Sequence, residues 1–177
     1  MNEVILVDFD DNESGTMEKI EAHEKGRLHR AFSVFLIQGD KMLLQKRASD
    51  KYHCGGLWTN TCCSHPRPGE ETKAAAVRRL EEELEIRIEP DELQEVHAIL
   101  YRYPFENGLT EYEYDHLFIG EYQGEWVENP EEVDAVRWVE IDWLKQDVAA
   151  HPEDYTPWFL IALREVMESI VSSRGGR

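Results

Sequence analysis

The chain has 177 residues, of which 41% are hydrophobic, enough for one core of ordinary domain size. Its 37 acidic and 19 basic side chains give a formal net charge of -18, which repels nucleic-acid backbones and argues against binding them. No apolar run reaches the roughly 20 residues of a membrane-spanning helix, and the N-terminus carries acids where a signal peptide carries bases. We therefore expect one cytoplasmic domain over residues 1–177, without nucleic-acid or membrane partners.

The first half of the chain predicts strands, a loop and a helix. Residues 1–24 combine a short apolar run with an acidic turn, which favours an edge strand and a loop. The apolar runs 31–38 and 41–45 flank a Gly-Asp pair and predict a hairpin. Residues 52–70 are rich in glycine, proline and cysteine, which is typical of a functional loop. Apolar positions at helical spacing predict a helix over residues 72–86.

The second half of the chain is dominated by strand patterns. Residues 95–100, 111–121 and 135–141 have the composition of strands. A last helix follows, with Thr156 as its cap and Pro157 at its first position. The whole predicts a mixed α/β (α+β) domain in which helices flank one sheet.

The three cysteines are an odd number, and Cys62 and Cys63 are adjacent, so a disulfide framework is not expected. Cys62 is interpreted as a small buried apolar side chain. Cys63 lies between two turn-forming segments, two residues before His65, where a thiol can be held exposed and reactive. No function is indicated for Cys54.

Glu111 and Glu113 are two residues apart in a predicted strand, so both carboxylates project from one face and can converge on a cation. A solvated strand face explains such a pair equally well unless further ligands exist. His23, His29 and His65 are candidates, and with the two glutamates they suit an octahedral ion such as Mn²⁺, Mg²⁺ or Fe²⁺ better than structural zinc. Spacing alone does not choose among the histidines. The others are interpreted as surface or hydrogen-bonded residues: His53, His97, His116 and His151.

Local positive charge would be needed if a chain of this net charge bound a polyanionic substrate. The candidates are Lys19, Arg47, Lys51 and Arg79, each of which could also be an ordinary solvated charge. Arg79 is four residues from Glu83 on the predicted helix, so the two can form an ion pair. Glu82 and Glu83 can also bind a metal ion.

Three segments resemble type I isopentenyl diphosphate isomerase, and the likeness extends over residues 17–170: WTNTCCSHP at 58–66, AHEKGRLHRAFS at 22–33, and Pro157-Trp158. The resemblance implies a Nudix-type α/β/α sandwich with a mixed sheet. Residues 64–86 resemble a degenerate Nudix box, with consensus residues at Glu70, Arg78, Leu80, Glu82 and Glu83. Ser64, Arg79 and Glu85 depart from it. Arg79 stands where the hydrolases have glutamate, so one acid of the hydrolytic metal cluster is missing.

The resemblance also implies the reaction, a 1,3-allylic rearrangement of isopentenyl diphosphate to dimethylallyl diphosphate in isoprenoid biosynthesis. It assigns Cys63 and Glu113 as an acid/base pair on opposite faces of the five-carbon group. Tyr103 is the expected hydrogen-bond partner of Glu113, with Tyr101 as the alternative. Trp158 would offer an electron-rich face to a tertiary carbocation in a dry pocket.

The implied cofactors are two divalent ions. The tight ion, Mn²⁺ or Mg²⁺ with Zn²⁺ as an alternative, would be held by His23, His29, His65, Glu111 and Glu113, and it would polarise Glu113 for proton delivery. A second ion, Mg²⁺, would enter with the diphosphate on Glu83 and the backbone carbonyl of Cys63. Lys19, Arg47, Lys51 and Arg79 would contact the phosphate oxygens. The enzyme is expected to be a monomer or a homodimer.

Two other functions compete with this hypothesis. A Nudix hydrolase of a nucleoside diphosphate derivative is disfavoured by Arg79 and by the coincidence of Cys63, Glu113 and Trp158. A noncatalytic, metal-stabilised interaction module would use the acidic surface, but the sequence contains no partner motif that supports it.

Overall fold

The computed structural model describes residues 2–175. The strands are β1 (Glu3–Val7), β2 (Glu13–Glu18), β3 (His29–Gln38), β4 (Lys41–Arg47), β5 (Trp58–Thr59), β6 (Cys62–Ser64), β7 (Leu93–Pro104), β8 (Thr110–Glu121) and β9 (Val133–Glu140). The helices are α1 (Lys19–Glu24), α2 (Thr72–Leu84), α3 (Ile141–Ala150) and α4 (Pro157–Gly175), with 3₁₀ turns at Pro90–Glu92 and Pro152–Asp154. Across residues 2–175, every helix is too short or too polar to cross a lipid bilayer.

The centre of the molecule is β3, which lies within one nine-stranded sheet formed by residues 2–175. It pairs in parallel with β8, and β7 adds to the other edge of β8 in antiparallel orientation. On its other side β3 contacts β4, and β4 continues to β9. The parallel β3–β8 pair brings the first residues of both strands to the same end of the sheet, where His29 lies opposite Glu113.

Side chains of β3 alternate between two cores, as a strand buried on both faces requires. Phe32, Val34 and Leu36 pack with α2 on one face of the sheet. Phe35 and Ile37 pack with α3 and α4 on the other. The helices therefore cover both faces, and the predicted α/β/α sandwich is confirmed.

Several element bounds differ from the sequence prediction. The helix expected over 72–86 ends at Leu84, because Glu85 adopts a left-handed conformation with φ of 52° that stops the helix. The segment 52–70, expected to be a loop, contains β5 and β6. The segment 1–24, expected to be one edge strand and a loop, contains β1, β2 and α1.

The loop between β5 and β6 fills a gap in the sheet. β3 and β4 pair only beside their connecting turn and then separate. Asn60 Nδ2 donates to the carbonyl of Val34 at 3.1 Å. Thr61 Oγ1 accepts from the amide of Leu36 at 2.9 Å and donates to the carbonyl of Leu43 at 2.6 Å. These buried side chains replace missing strand–strand hydrogen bonds and fix the position of β6, which carries the cysteine pair.

Candidate active site

A cavity of about 210 Å³ brings together most of the residues that the sequence singled out. The site residues predicted from the sequence that line this cavity are Lys19, Arg47, Lys51, Cys63, His65, Arg79, Glu83, Glu111, Glu113 and Trp158. His23 and His29 are fully buried and contact the glutamates of this wall. These side chains come from α1, β3, β4, β6, α2, β8 and α4 and from the connecting loops, so the cavity exists only in the folded chain.

Imidazole nitrogens and glutamate oxygens form a compact cluster on one wall of the cavity. His65 Nε2 lies 2.8 Å from Glu113 Oε1, and His29 Nε2 lies 3.4 Å from the same oxygen. His23 Nε2 lies 3.5 Å from Glu111 Oε1. The candidate ligand atoms of His23, His29, His65 and Glu113 all fall within 4.8 Å of one another, so one ion could contact all four.

The hydrogen bonds of two histidines prepare them for metal binding. His23 Nδ1 lies 2.6 Å from the carbonyl of Lys19, and His29 Nδ1 lies 2.8 Å from the carbonyl of Arg27. A carbonyl can only accept, so in the neutral ring each Nδ1 carries the proton and each Nε2 presents a lone pair. Both Nε2 atoms are buried without a hydrogen-bond partner among residues 2–175. This donor set fits a divalent cation, which would satisfy both nitrogens.

Electrostatics favour the neutral, ligating form of His65. Burial lowers its pKa well below the usual value, and the neighbouring His29 and Lys19 lower it further. His65 is therefore a neutral imidazole at pH 7. A neutral ring is the form that coordinates metal ions.

The two candidate proton-transfer residues differ in protonation. Burial raises the pKa of the Cys63 thiol to about 12, so it carries its proton at neutral pH. Burial also disfavours the Glu113 carboxylate, but its polar neighbours, among them the Tyr101 hydroxyl that donates to it, outweigh this and hold the pKa of Glu113 below its usual range. The pair thus contains one proton that can be transferred and one group that can accept it.

The tyrosine beside Glu113 is Tyr101, and the expectation of Tyr103 is wrong. Tyr101 pairs directly with Glu113 in the β7–β8 register, and its hydroxyl donates to Glu113 Oε2 at 2.7 Å. Tyr103 shares the same face but lies two residues nearer the end of the strand, opposite Glu111. Its side chain is 40% exposed and packs on Phe105.

The four basic side chains that were predicted to bind phosphate lie around one side of the cavity. Lys19 Nζ sits 4.8 Å above the ring of Tyr52, and Lys51 pairs with Glu132. Burial lowers the pKa of Lys19, and the nearby Lys51 and Arg47 lower it further. Such crowding of positive charge is relieved when an anion binds.

Glu83 lies beside this group of cations. It accepts from Gln45 Nε2 at 2.9 Å and from Arg79 Nη2 at 2.5 Å. The carboxylate is buried and points into the cavity, with oxygens of the type that Mg²⁺ prefers.

Trp158 reaches the cavity from the first turn of α4. The start of that helix is tied to β5, because the amide of Thr156 donates to the carbonyl of Trp58 at 3.0 Å. The Thr156 hydroxyl donates to Thr59 Oγ1 at 2.9 Å. The indole ring is buried, and the guanidinium of Arg47 lies 5.1 Å from it, which indicates that its face accommodates positive charge.

Sequence reasoning missed His53, whose Nε2 contacts Glu111 Oε1 and whose ring is buried in the cavity wall. The available signal was its position directly after Lys51 and Tyr52 in a chemically dense loop. That signal did not separate it from the other histidines.

The fold and the site together define a Nudix-domain protein. The NUDIX domain family matches residues 27–159. Among solved structures, a MutT NUDIX hydrolase from Burkholderia pseudomallei is similar with a TM-score of 0.61 at 21% identity, over 78% of this chain and 98% of that one. A protein from Deinococcus radiodurans is similar with a TM-score of 0.68 at 18% identity, over 84% of this chain and 89% of that one. At these identities the likeness concerns the fold alone.

Relatives of higher identity define the family more narrowly. The isopentenyl-diphosphate Delta-isomerase 2 of Aromatoleum aromaticum is 46% identical over 167 residues, covering 94% of this chain and 87% of the relative. The isopentenyl-diphosphate Delta-isomerase of Serratia proteamaculans is 43% identical, covering 92% of this chain and 90% of the relative. That of Cereibacter sphaeroides is 48% identical, covering 87% of this chain and 87% of the relative. The chain belongs to the isopentenyl-diphosphate Delta-isomerase family of enzymes, and the resemblance seen in its sequence is confirmed.

Proposed function

We propose that the protein catalyses the rearrangement of isopentenyl diphosphate to dimethylallyl diphosphate in isoprenoid biosynthesis. The observation that carries this proposal is that the Cys63 thiol and the Glu113 carboxylate line the same cavity as four cationic side chains. The names of relatives at 43–48% identity support it. Cys54, Cys62 and Cys63 are free thiols, which supports a reducing compartment, for which we propose the cytoplasm.

The reaction needs one proton added and one removed. A proton added to the terminal alkene carbon leaves a tertiary cation at the branched carbon, and loss of a proton from the adjacent methylene forms the internal double bond. We assign these transfers to Cys63 and Glu113 on opposite faces of the five-carbon group. Since the rearrangement is reversible, the residue that donates in one direction accepts in the other. Tyr101 holds Glu113 through its 2.7 Å hydrogen bond.

The cationic carbon must be shielded from water and stabilised. We propose that the ring face of Trp158 supplies this stabilisation, because an aromatic quadrupole attracts a cation within about 6 Å of the ring centre. Lys19, Arg47, Lys51 and Arg79 would bind the diphosphate oxygens and anchor the hydrocarbon end beside the proton-transfer pair. The anchored anion would also account for the concentration of basic residues in an acidic chain.

Two metal sites complete the proposal. His23, His29, His65, Glu111 and Glu113 would hold a tight divalent ion, Mn²⁺ or Mg²⁺ with Zn²⁺ as an alternative, which supplies positive charge that polarises the Glu113 carboxylate when bound. Glu83 and the backbone carbonyl of Cys63 would hold Mg²⁺ that enters with the diphosphate.

Hydrolysis of the diphosphate is disfavoured by the arrangement on α2. Arg79 Nη1 donates to Glu82 at 2.8 Å, and Arg79 Nη2 donates to Glu83 at 2.5 Å. An arginine thus engages two carboxylates of the Nudix box and stands where the hydrolases have an acid. The metal cluster that would activate water for attack on phosphorus therefore lacks a ligand.

The proposal is tested by removing each proton-transfer group. Cys63→Ala and Glu113→Gln are each expected to lower the isomerisation turnover by about 10²-fold to 10⁴-fold, with unchanged circular dichroism recorded for both variants and unchanged metal content for Cys63→Ala. The matched control is Cys62→Ala, since that thiol is fully buried against the α2 side of the sheet. Its turnover should stay close to that of the parent protein. A folded Cys63→Ala variant with near-normal turnover would defeat the assignment.

A further inference from the structure

His53 occupies a place in the site that the proposed reaction leaves without a role. The ring is 6% exposed and lies against Tyr52, Phe105 and Trp158, with centroid distances of 4.2, 4.9 and 5.6 Å. Its Nε2 contacts Glu111 Oε1. Packing on three sides therefore fixes the ring, and one polar edge points at a proposed metal ligand.

The opposite edge of the ring faces a cation. Arg47 Nη2 lies 3.5 Å from His53 Nδ1 and 3.4 Å from the His53 carbonyl oxygen. His53 thus stands between a side chain proposed to bind phosphate and a carboxylate proposed to bind the tight metal ion. Among the described residues, His53 is therefore the side chain that links Arg47 to Glu111.

The surroundings of the ring select its tautomer. A guanidinium can only donate, so the edge facing Arg47 presents the Nδ1 lone pair, and the proton of the neutral ring sits on Nε2. This is the reverse of His23 and His29, whose Nδ1 atoms face carbonyls and whose Nε2 lone pairs are free. By distance alone His53 could join His23 and Glu111 as a ligand. The proton on Nε2 makes it a hydrogen-bond donor to Glu111 instead.

We infer that His53 is a positioning residue: it accepts from Arg47 at Nδ1, donates from Nε2 to Glu111, and so orients the metal-binding carboxylate relative to the phosphate-binding arginine. A residue that hydrogen-bonds to a metal ligand without binding the metal itself keeps that ligand in its coordinating geometry. The inference rests on the proposed metal site, and on no step of the isomerisation.

The first test measures release of Mn²⁺ from the loaded protein into excess chelator. His53→Phe keeps an aromatic ring but cannot hydrogen-bond, and it is expected to release the ion about 10-fold to 100-fold faster. His53→Gln can donate and accept and should restore release to within about 3-fold of the parent rate. His97→Gln, a change at an exposed histidine near the start of β7, is the control. Equal release from the parent and His53→Phe proteins would overturn the inference, as would a parent protein that binds no divalent ion.

The second test counts imidazoles around the bound ion by X-ray absorption. A positioning residue leaves the count identical in the parent and His53→Gln proteins. Loss of one imidazole in His53→Gln would make His53 a ligand and would overturn the inference even if His53→Phe failed to fold. Neither measurement uses the isomerisation, so an inactive protein would count against the proposed function alone.

Discussion

Tyr101 and Glu113 face each other across the antiparallel β7–β8 pair, and the tyrosine hydroxyl donates to Glu113 Oε2 at 2.7 Å. His65 Nε2 lies 2.8 Å from the other oxygen of the same carboxylate, Glu113 Oε1. Because both of its oxygens are held, Glu113 has one orientation toward the cavity. Burial raises the pKa of Tyr101 well above the usual value, so the phenol keeps the proton that this hydrogen bond needs.

The first prediction separates the two tyrosines. Tyr101→Phe removes the hydrogen bond to Glu113 and is expected to lower kcat by about 10-fold to 100-fold, with a smaller effect on KM. Tyr103→Phe changes a half-exposed side chain and should leave both constants unchanged. Steady-state kinetics of the two variants decide the matter. A larger loss in Tyr103→Phe would contradict the register of this hairpin.

The second prediction concerns the cationic side of the cavity. Lys51→Gln removes one proposed phosphate contact and should raise KM for isopentenyl diphosphate by about 10-fold to 100-fold, since a hydrogen bond to a charged group contributes about 1.5–3 kcal/mol. The change in kcat should be small. Lys145→Gln, at an exposed lysine on α3, is the matched control and should have no effect. Equal KM values for both variants would remove Lys51 from the binding site.

The third prediction follows from the raised pKa of Cys63. Only a thiolate is alkylated, so in chelator-treated protein the rate at Cys63, followed by peptide mass spectrometry, should rise about 10-fold per pH unit from pH 7 to pH 10. No plateau is expected in that range, because the pKa is about 12. In urea-unfolded protein the alkylation rate of the same peptide should level off near pH 9.0, the ordinary pKa of a thiol. A plateau in the folded protein below pH 9 would show that burial does not control this thiol.

The fourth prediction concerns stability. Asn60 is fully buried and donates to the carbonyls of Val34 and Cys62 across the gap between β3 and β4. Asn60→Ala removes both of these buried hydrogen bonds and should lower the free energy of unfolding by about 2 kcal/mol, measured by urea denaturation. Asn12→Ala, in the solvent-exposed β1–β2 turn, should change it by about 1 kcal/mol or less. Similar losses in the two variants would mean that the gap is not held by Asn60.

The parts of the fold that sequence predicted are those with strong periodicity. The helix over 72–86 and the β3–β4 hairpin were found because apolar residues recur at the spacing that buries one helix face or a strand. β5 and β6 were missed because strands of two and three residues have no period to detect. They form because Asn60 and Thr61 supply the hydrogen bonds that the separated strands need.

The site shows a similar limit. Tyr101 and Tyr103 project from the same face of β7, so composition and alternation fit both equally well, and only the register set by the following turn distinguishes them. His53 depends on the path of a loop, which local sequence does not encode. The histidines on α1 and at the start of β3 were found through the family likeness, since spacing alone did not select them.

In the proposed mechanism, Cys63 and Glu113 shift a proton across the five-carbon group while the diphosphate stays intact. Proton NMR of the protein with isopentenyl diphosphate and Mg²⁺ in D₂O measures this directly, in one sample, as isomer signals, deuterium incorporation and phosphate release. We predict dimethylallyl diphosphate that contains deuterium, without released phosphate. Phosphate without isomer would exclude this mechanism and assign the protein to hydrolysis, and no reaction after metal loading under reducing conditions would leave only a binding function.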